Sequence, residues 1–221
     1  MKKEVNQEFF TKWAPEMAYV LGFFMADGSI IRNKRGGYYL NIQIRDKNLL
    51  YSIRKALCSN HKISVKPAKG NAREKYNLQI GSKKMCFDLQ KMGVQRRKTY
   101  TLTIPKIPRK FFWHFVRGYF DGDGNVWKGF IHKDRPQPLL VLFTAFTSCS
   151  EDFLRSLQQG LEETGLGKGS LVSLQGSSYY RLQYAVRDSL LLADSMYKGQ
   201  YKSLYLKRKK DIFDKFKRTR L

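Results

Sequence analysis

Two aspartates, Asp27 and Asp123, end two similar apolar segments, and each stands directly before a glycine. The segments read Val20-Leu-Gly-Phe-Phe-Met-Ala-Asp-Gly28 and Val116-Arg-Gly-Tyr-Phe-Asp-Gly-Asp-Gly124. Their composition predicts two buried helices that each carry an acid at the C-terminal end. A helix favours cations at that end, because its macrodipole is negative there. The repeated acids therefore indicate a bound positive group, for which a divalent cation is the leading candidate.

The repetition extends well beyond these two segments. Residues 46–57 and 150–161 both read as amphipathic helices that open with an Asp or Ser N-cap. Residues 76–81 and 180–185 then alternate apolar and polar side chains, which is typical of a strand with one face toward the core. A second helical stretch follows in each half, at 83–92 and 188–197. The pattern predicts an internal duplication.

Each half is predicted to run helix, two strands, helix, two strands, helix. The fold class is therefore α+β, with two αββαββα halves whose antiparallel sheets have one apolar and one polar face. The first half is expected to span residues 1–100 and the second 109–221, the latter ending in a basic amphipathic helix. Residues 101–108 contain two prolines and are expected to form an extended linker.

The charge of the chain points to a polyanionic partner. Forty-two Lys and Arg residues against 18 Asp and Glu give a formal net charge of +24 on 221 residues. Nucleic acid fits that charge, because phosphate neutralisation and counterion release supply affinity. A membrane does not, since the longest apolar stretches are far shorter than the roughly 20 residues of a spanning helix.

The chain is expected to work in a reducing compartment inside a cell and not to be secreted. Its N-terminus lacks the apolar core of a signal peptide. Its three cysteines, Cys58, Cys86 and Cys149, are odd in number and far apart, so they predict neither a disulfide framework nor a zinc site. Bacterial cytoplasm, phage-infected cytoplasm and an organelle fit equally well.

The two segments resemble the LAGLIDADG signature of homing endonucleases. Gly22 and Gly118 match its first glycine, and the closing Ala-Asp-Gly is matched by Ala26-Asp27-Gly28 and Gly122-Asp123-Gly124. Position six is Met25 in one copy and Asp121 in the other. The resemblance assigns the metal to the later acid, so both metal-binding acids are present.

The resemblance implies a single-chain, two-motif enzyme with internal pseudo-twofold symmetry. The two halves would form a saddle, with the motif helices packed at the interface through Gly22 and Gly118, where missing side chains allow close approach. The metal site would lie at Asp27 and Asp123 with the preceding residues Ala26 and Gly122. Two or three Mg²⁺ ions are implied, with Mn²⁺ as a substitute and Ca²⁺ supporting binding without cleavage. The product would be a double-strand break with short cohesive 3′ ends.

Two lysines at equivalent places complete the implied catalytic set. Lys98 and Lys202 match the family's basic residue near the metal-bound water, where they would stabilise the charge of the phosphate in the transition state. In a chain with so many lysines, a solvated or phosphate-contacting side chain is an equally good interpretation. Asp46 and Ser150 match a family position that holds water near the metal, but both also suit a helix cap, which we prefer.

The polar faces of the sheets are expected to read double-stranded DNA in the major groove. Amide side chains suit adenine, whereas Arg and Lys suit guanine or phosphate. The two sets of polar residues differ, so a monomer on a long asymmetric target is favoured over a dimer on a palindrome. The candidate DNA-binding residues are Arg32, Asn41, Gln43, Arg45, Lys75, Asn77, Gln79, Lys128, Lys133, Thr147, Arg181 and Gln183.

Three other functions compete with DNA cleavage as interpretations of this sequence. An intron RNA maturase, which binds folded RNA and assists splicing, is the principal alternative, although maturases that lost cleavage often lost a motif acid. A transcription regulator would be expected to add a helix-turn-helix domain, and 221 residues leave no room for one. An intein is disfavoured because the chain lacks a terminal nucleophile and a His-Asn ending.

Overall fold

A computed structural model describes residues 3–68, 70, 73–94, 102–173, 176, 178–199 and 204–219. The chain folds into two compact units. The first consists of Met1–Lys98, Pro105–Gly122 and Gln200–Leu206, and the second of Thr99–Ile104, Asp123–Gly199 and Lys207–Leu221. These units differ from the predicted division of the chain into halves at residues 101–108. The predicted halves describe the sequence repeat and stay a prediction.

The first unit carries one complete αββαββα repeat and most of a further helix. Its elements are α1 (Pro15–Asp27), β1 (Gly28–Arg32), β2 (Tyr38–Ile44), α2 (Lys47–Ala56), β3 (Ile63–Lys66), β4 (Lys75–Gly81) and α3 (Lys83–Lys91). A 3₁₀ turn at Arg109–Phe111 leads into α4 (Phe112–Asp123). The four strands form an antiparallel sheet in the order β1-β2-β4-β3.

The second unit repeats the same order of elements after α4. It contains β5 (Gly124–Ile131), β6 (Leu139–Ser148), α5 (Glu151–Glu162), β7 (Ser170–Ser173), β8 (Tyr180–Tyr184), α6 (Val186–Met196) and α7 (Lys207–Arg218). Its antiparallel sheet has the order β5-β6-β8-β7, the counterpart of the first. The predicted α+β class and the duplicated αββαββα order are confirmed.

Helix α1 is apolar all round, and every residue from Met17 to Met25 is buried. Helices α2 and α3 instead bury one stripe each, through Leu49, Leu50 and Ile53 and through Met85, Cys86 and Leu89. A helix that is hydrophobic on every side needs protein on every side. The motif helix is therefore a central element of the first unit, whereas α2 and α3 cover its sheet.

Side-chain caps fix the start of the two helices that follow the second strand of each repeat. The Asp46 carboxylate accepts a hydrogen bond from the backbone N–H of Leu49 at 2.8 Å. The Ser150 hydroxyl accepts one from the N–H of Phe153 at 3.2 Å and donates to the carbonyl of Leu102 at 3.0 Å. The preferred interpretation of Asp46 and Ser150 as helix caps is confirmed.

All three cysteines are free, as the sequence predicted. Cys58 is exposed, Cys149 is half-buried, and Cys86 is buried on α3. In the part of the chain that the structure describes, no helix is long and apolar enough to cross a membrane.

Candidate nucleic-acid interface and motif acids

Asp27 is the last residue of α1 and is exposed to solvent. Gly28 then starts β1 at once, and its N–H still donates to the carbonyl of Phe24. A Cβ on Gly28 would lie 2.3 Å from the Phe24 ring, so only glycine permits this direct passage from helix to strand. The last turn of α1 has no basic residue. The acid therefore lies at the negative end of the helix dipole without a cation on its own helix.

Gly22 and Gly118, the first glycines of the two motif segments, each lie against the backbone of the other motif helix. A Cβ on Gly22 would lie 2.2 Å from the carbonyl oxygen of Phe115, and a Cβ on Gly118 would lie 2.0 Å from that of Tyr19. Carbon atoms cannot approach a carbonyl oxygen so closely. Glycine at both positions therefore lets α1 and the Phe112–Gly122 part of α4 pack backbone to backbone within the first unit.

This close packing continues to the last turns of the two helices. A Cβ on Gly122 would lie 2.3 Å from the Cβ of Ala26 and 3.6 Å from the backbone nitrogen of Asp27. Ala26 and Gly122 are thus in contact, and each directly precedes its motif acid in the chain. Asp123 is the last residue of α4 and is half-buried.

Asp121, at position six of the second motif, has a structural role. Its side chain is buried, and its Oδ2 accepts hydrogen bonds from the Tyr19 hydroxyl at 2.7 Å and from the Leu206 N–H at 2.8 Å. A buried carboxylate with charge-strengthened hydrogen bonds ties α1, α4 and the 204–206 segment together. Position six was expected to matter little, because the resemblance assigns the metal to the later acid.

Arg117 supports the same region from the neighbouring turn of α4. It is 2% exposed, donates through Nε to the carbonyl of Leu204 at 3.0 Å, and lies 5.3 Å from the centre of the Tyr19 ring. One of its terminal nitrogens lies 3.1 Å from Nδ1 of His114. Burial lowers the pKa of His114, and the positive charge of Arg117 lowers it further. His114 is therefore a neutral acceptor for Arg117.

Lys209 is a charged residue beside the second motif acid that sequence reasoning missed. It lies on α7, is 4% exposed, and its Nζ donates to the carbonyl oxygen of Gly124 at 2.6 Å. Gly124 directly follows Asp123. A buried ammonium is costly unless it is hydrogen-bonded and compensated, and the C-terminal end of a helix favours it. Lys209 therefore places a fixed positive charge at the end of α4.

A sequence signal for Lys209 does exist. Lys209, Phe213 and Phe216 are the buried residues of α7, and their spacing of four and three places all three on one face. The opposite face carries exposed or half-exposed pairs, Lys207 with Asp211 and Lys210 with Asp214. Lys209 is distinguished in the sequence because it is in register with the apolar stripe of this basic helix.

The Cys149 thiol lies near Asp123, and the charge of that carboxylate acts on it. Burial raises the pKa of the Cys149 thiol, and the negative charge of Asp123 raises it further. The thiol is therefore neutral near neutral pH.

The predicted lysines Lys98 and Lys202 lie outside the described residues. Leu204 and Leu206, which follow Lys202 closely in sequence, are buried and are held by Arg117 and Asp121.

The first sheet presents a polar open face, opposite the helices. Register places Asn41 beside Gln79 and Gln43 beside Asn77, so four amides from two neighbouring strands share this face. Lys75 lies on the same face, and Arg45 is exposed just beyond the end of β2. Asn77 is only 8% exposed, and its Oδ1 has no hydrogen-bond partner.

Two predicted DNA contacts lie on the other faces of their sheets. Arg32 pairs with Tyr38 and shares the face of Ile30 and Leu40, where its guanidinium lies 5.6 Å from the Tyr38 ring. Lys128 pairs with Leu142 and shares the face of buried Val126. Neither residue belongs to an open polar face, because a strand turns successive side chains to opposite sides.

The second sheet departs from the expected polar face. Thr147, Arg181 and Gln183 do lie on its open side, and Lys133 is exposed at the tip of the β5–β6 hairpin. The rest of that side is largely apolar, with Trp127, Leu139 and Val172 exposed by 45%, 54% and 42%. The prediction of one polar face is therefore correct for the first sheet and wrong for much of the second.

Comparisons with known proteins identify the family that this architecture resembles. Residues 14–86 match the family model described as a LAGLIDADG-like domain. An uncharacterized protein of Methanocaldococcus jannaschii, MJ0398, is 25% identical over 210 residues, which cover 91% of this chain and 71% of that protein.

Solved structures give the same result for the fold. The homing endonuclease I-DmoI in complex with DNA and Mn is 16% identical, with a TM-score of 0.57 over 88% of this chain and 99% of that one. The LAGLIDADG homing endonuclease I-SmaMI bound to cleaved DNA is 15% identical, with a TM-score of 0.57 over 93% of this chain and 88% of that one. The resemblance to LAGLIDADG homing endonucleases is thus confirmed: residues 14–86 match a LAGLIDADG-like domain, and the chain has the fold of these endonucleases.

Proposed function

We propose that the protein is a site-specific DNA endonuclease of the LAGLIDADG homing type. It acts as a monomer and makes a metal-dependent double-strand break, with short cohesive 3′ ends, at a long asymmetric target. The observation that carries the proposal is the pair of motif acids, each ending a helix, with α1 and α4 in backbone contact through Gly22 and Gly118. Such packing holds the last turns of both helices in place, and each helix ends in its motif acid.

The donor chemistry suits a divalent cation that is shared with a substrate. Among the described residues, no group of three or more His, Cys, Asp or Glu side chains forms a complete metal site. Mg²⁺ is commonly held by one or two carboxylates, with phosphate oxygens and water filling the remaining positions. Asp27 with Ala26, and Asp123 with Gly122, are the residues that would each hold such a cation. I-DmoI, which shares the fold, has been solved with DNA and Mn and with DNA and Ca.

Each residue near the motif acids has a distinct part in this proposal. When bound, the cation supplies an activated water and stabilises charge on the phosphate. Asp27 and Asp123 would each hold a cation, one acid for each DNA strand. Lys209 holds a positive charge at the end of α4 and limits the repulsion between carboxylate and phosphate. Lys98 and Lys202 are proposed to stabilise the negative charge that develops on the phosphate.

The substrate is proposed to be double-stranded DNA held on the open faces of the two sheets. The net charge of +24 favours a polyanion and predicts strong salt dependence of binding. Asn41, Gln43 and Gln79, the accessible amides of the first sheet, can each form hydrogen bonds with a base edge, and paired donors and acceptors of this kind suit adenine. Arg32 and Lys128, on the other faces, are proposed to contact phosphate rather than bases.

Cleavage of a randomised duplex library tests the function directly. The full chain would be incubated with the library in Mg²⁺ and in Ca²⁺, and newly formed ends would be sequenced. The proposal predicts a family of related long sites cut in both strands in Mg²⁺, and the same sites bound without a cut in Ca²⁺. Salt-sensitive binding to folded intron RNA, with no DNA site recovered in either ion, would instead support the maturase alternative.

A further inference from the structure

An apolar patch lies on the open side of the second sheet, on strands β5 and β6. We define it by Trp127, Ile131, Leu139 and Phe143, which form the cross-strand pairs Trp127–Phe143 and Ile131–Leu139. Trp127 and Phe143 are cross-strand partners, and their rings are stacked with centroids 6.1 Å apart. Trp127 and Leu139 are 45% and 54% exposed. Exposed apolar residues that cluster in this way mark an interaction surface.

Strand register shows which residues of the two sheets are equivalent. Ser29 and Asn125 follow their motif acids at the same distance along the chain. Ser29 pairs with Asn41, and Asn125 pairs with Ala145. Counting along the strands then matches Tyr39 with Phe143 and Ser64 with Val172. At these positions the second sheet has alanine, phenylalanine and valine where the first has an amide and two hydroxyl groups, although Asn125 supplies an amide where the first sheet has Ser29.

Positive charge borders the patch. Arg181 pairs with both Thr147 and Val172 on the open side, and Lys133 and Arg135 are exposed at the tip of the hairpin that carries Trp127. An apolar surface with a basic border, on a chain of net charge +24, complements a ligand with apolar groups recessed between phosphates. The major groove of DNA fits this description, because the C5 methyl of thymine is the apolar group on its base edges.

We propose that the apolar patch reads thymine methyl groups, so that the half-site under the second sheet is specified by apolar contact and the other half-site by hydrogen bonds. This inference rests on the proposed function. It names the base and the chemical group that the second sheet recognises. Gln183 and Arg181 on the same side add hydrogen bonds at neighbouring base pairs or phosphates.

Replacing thymine by uracil tests the inference, because it removes the methyl group and leaves base pairing intact. Sites would be selected in Ca²⁺, and the half-site of the second sheet would be identified by the change in base preference of Gln183→Ala. Binding is then measured with uracil in either half. Burial of one methyl group corresponds to about a fourfold change in affinity. We expect about that loss per uracil in the half-site of the second sheet and a much smaller loss in the other half.

Matched variants assign the effect to the patch. Leu139→Ser and Ile131→Thr, at cross-strand partners within the patch, are expected to abolish the difference between thymine and uracil. Phe130→Ser is the control, since Phe130 is 52% exposed on β5 but lies on the opposite face, paired with Leu140. Selected sites bound equally with thymine or uracil in both halves would overturn this inference and leave the endonuclease intact. Failure to select any DNA site would instead overturn the proposed function.

Discussion

The ammonium group of Lys209 donates a hydrogen bond of 2.6 Å to the carbonyl oxygen of Gly124, the residue that directly follows Asp123. The lysine comes from α7, far along the chain, and is 4% exposed. A positive charge is thus built into the end of the second motif helix, where both the helix dipole and the motif acid are negative. This contact links the basic C-terminal helix to the proposed chemistry.

Replacing Lys209 by Met is expected to slow cleavage strongly while DNA affinity in Ca²⁺ stays near that of the wild type. Groups that support metal-binding residues typically contribute roughly ten- to hundredfold to activity or metal affinity, and a loss of that size is expected. Single-turnover cleavage against Mg²⁺ concentration measures it. Lys210→Met is the control, because Lys210 pairs with Asp214 on the outer face of α7. Equal losses in both variants would show that α7 acts only through its net charge.

Alanine at Gly22 or Gly118 is expected to destabilise the fold. Alanine favours a helix over glycine by about 1 kcal/mol, so propensity alone predicts a gain. The added Cβ would, however, lie 2.2 Å or 2.0 Å from a carbonyl oxygen of the other helix, where backbone must move. A net loss of about 1–3 kcal/mol in the free energy of unfolding is expected, measured by urea denaturation. Gly81→Ala is the control, since its Cβ would meet only the movable Tyr39 ring. If Gly22→Ala instead stabilised the protein, the close packing of the two helices would be refuted.

The free energy of unfolding is expected to fall as the pH is lowered from 7.5 to 5.5, in part because of His114. Burial and the Arg117 charge lower the pKa of His114 in the folded state, so the unfolded chain binds the proton first. The stability that neutral His114 provides is present above the ordinary histidine pKa of about 6.5 and is lost as the pH falls below it.

Urea denaturation of wild type and His114→Gln at both pH values isolates this contribution. Glutamine retains an acceptor for Arg117 but does not titrate, so the variant should lose less stability on acidification. His61 also has a lowered pKa, mainly through burial, and is unchanged in both proteins. An identical loss in wild type and variant would contradict the assigned role of His114.

Thiol labelling is expected to distinguish two of the cysteines. Burial raises the pKa of Cys86 to about 12, so almost none of its reactive thiolate exists at pH 8, and the side chain is also inaccessible. Cys58 is exposed and should react quickly with a disulfide reagent. Mass spectrometry of labelled peptides, with Cys58→Ser as the control, gives the order. Rapid labelling of Cys86 in the folded protein would contradict its burial on α3.

The fold was predictable because its signals are local and occur twice. The caps at Asp46 and Ser150, the alternation in β4 and β8, and the two motif helices each specify one element, and the repeat assembles them. Strand faces were harder to predict. A shift of one residue turns a side chain to the opposite face, which is how Arg32 and Lys128 came to be placed wrongly on the open sides.

The candidate site was only partly predictable. Both motif acids follow from the signature, since its spacing fixes their place at the helix ends. Lys209 and the pair Arg117 and Asp121 act through contacts between residues distant in sequence, which no local pattern contains. Lys209 is one of 42 basic residues, and only its register with Phe213 and Phe216 distinguishes it. The apolar patch arises from pairing of β5 with β6, and pairing cannot be read from any one strand.

Strand-resolved cleavage by variants of the motif acids tests the central claim most directly. On a site selected in Ca²⁺, the wild type, Asp27→Asn, Asp123→Asn and the exposed control Asp152→Asn would be compared in Mg²⁺ by sequencing-gel analysis of each strand. The account predicts full cleavage by the wild type and Asp152→Asn, and nicking or no cleavage by either motif variant despite unchanged folding and Ca²⁺-supported binding. Cutting of both strands at the wild-type rate by Asp27→Asn or Asp123→Asn would contradict it.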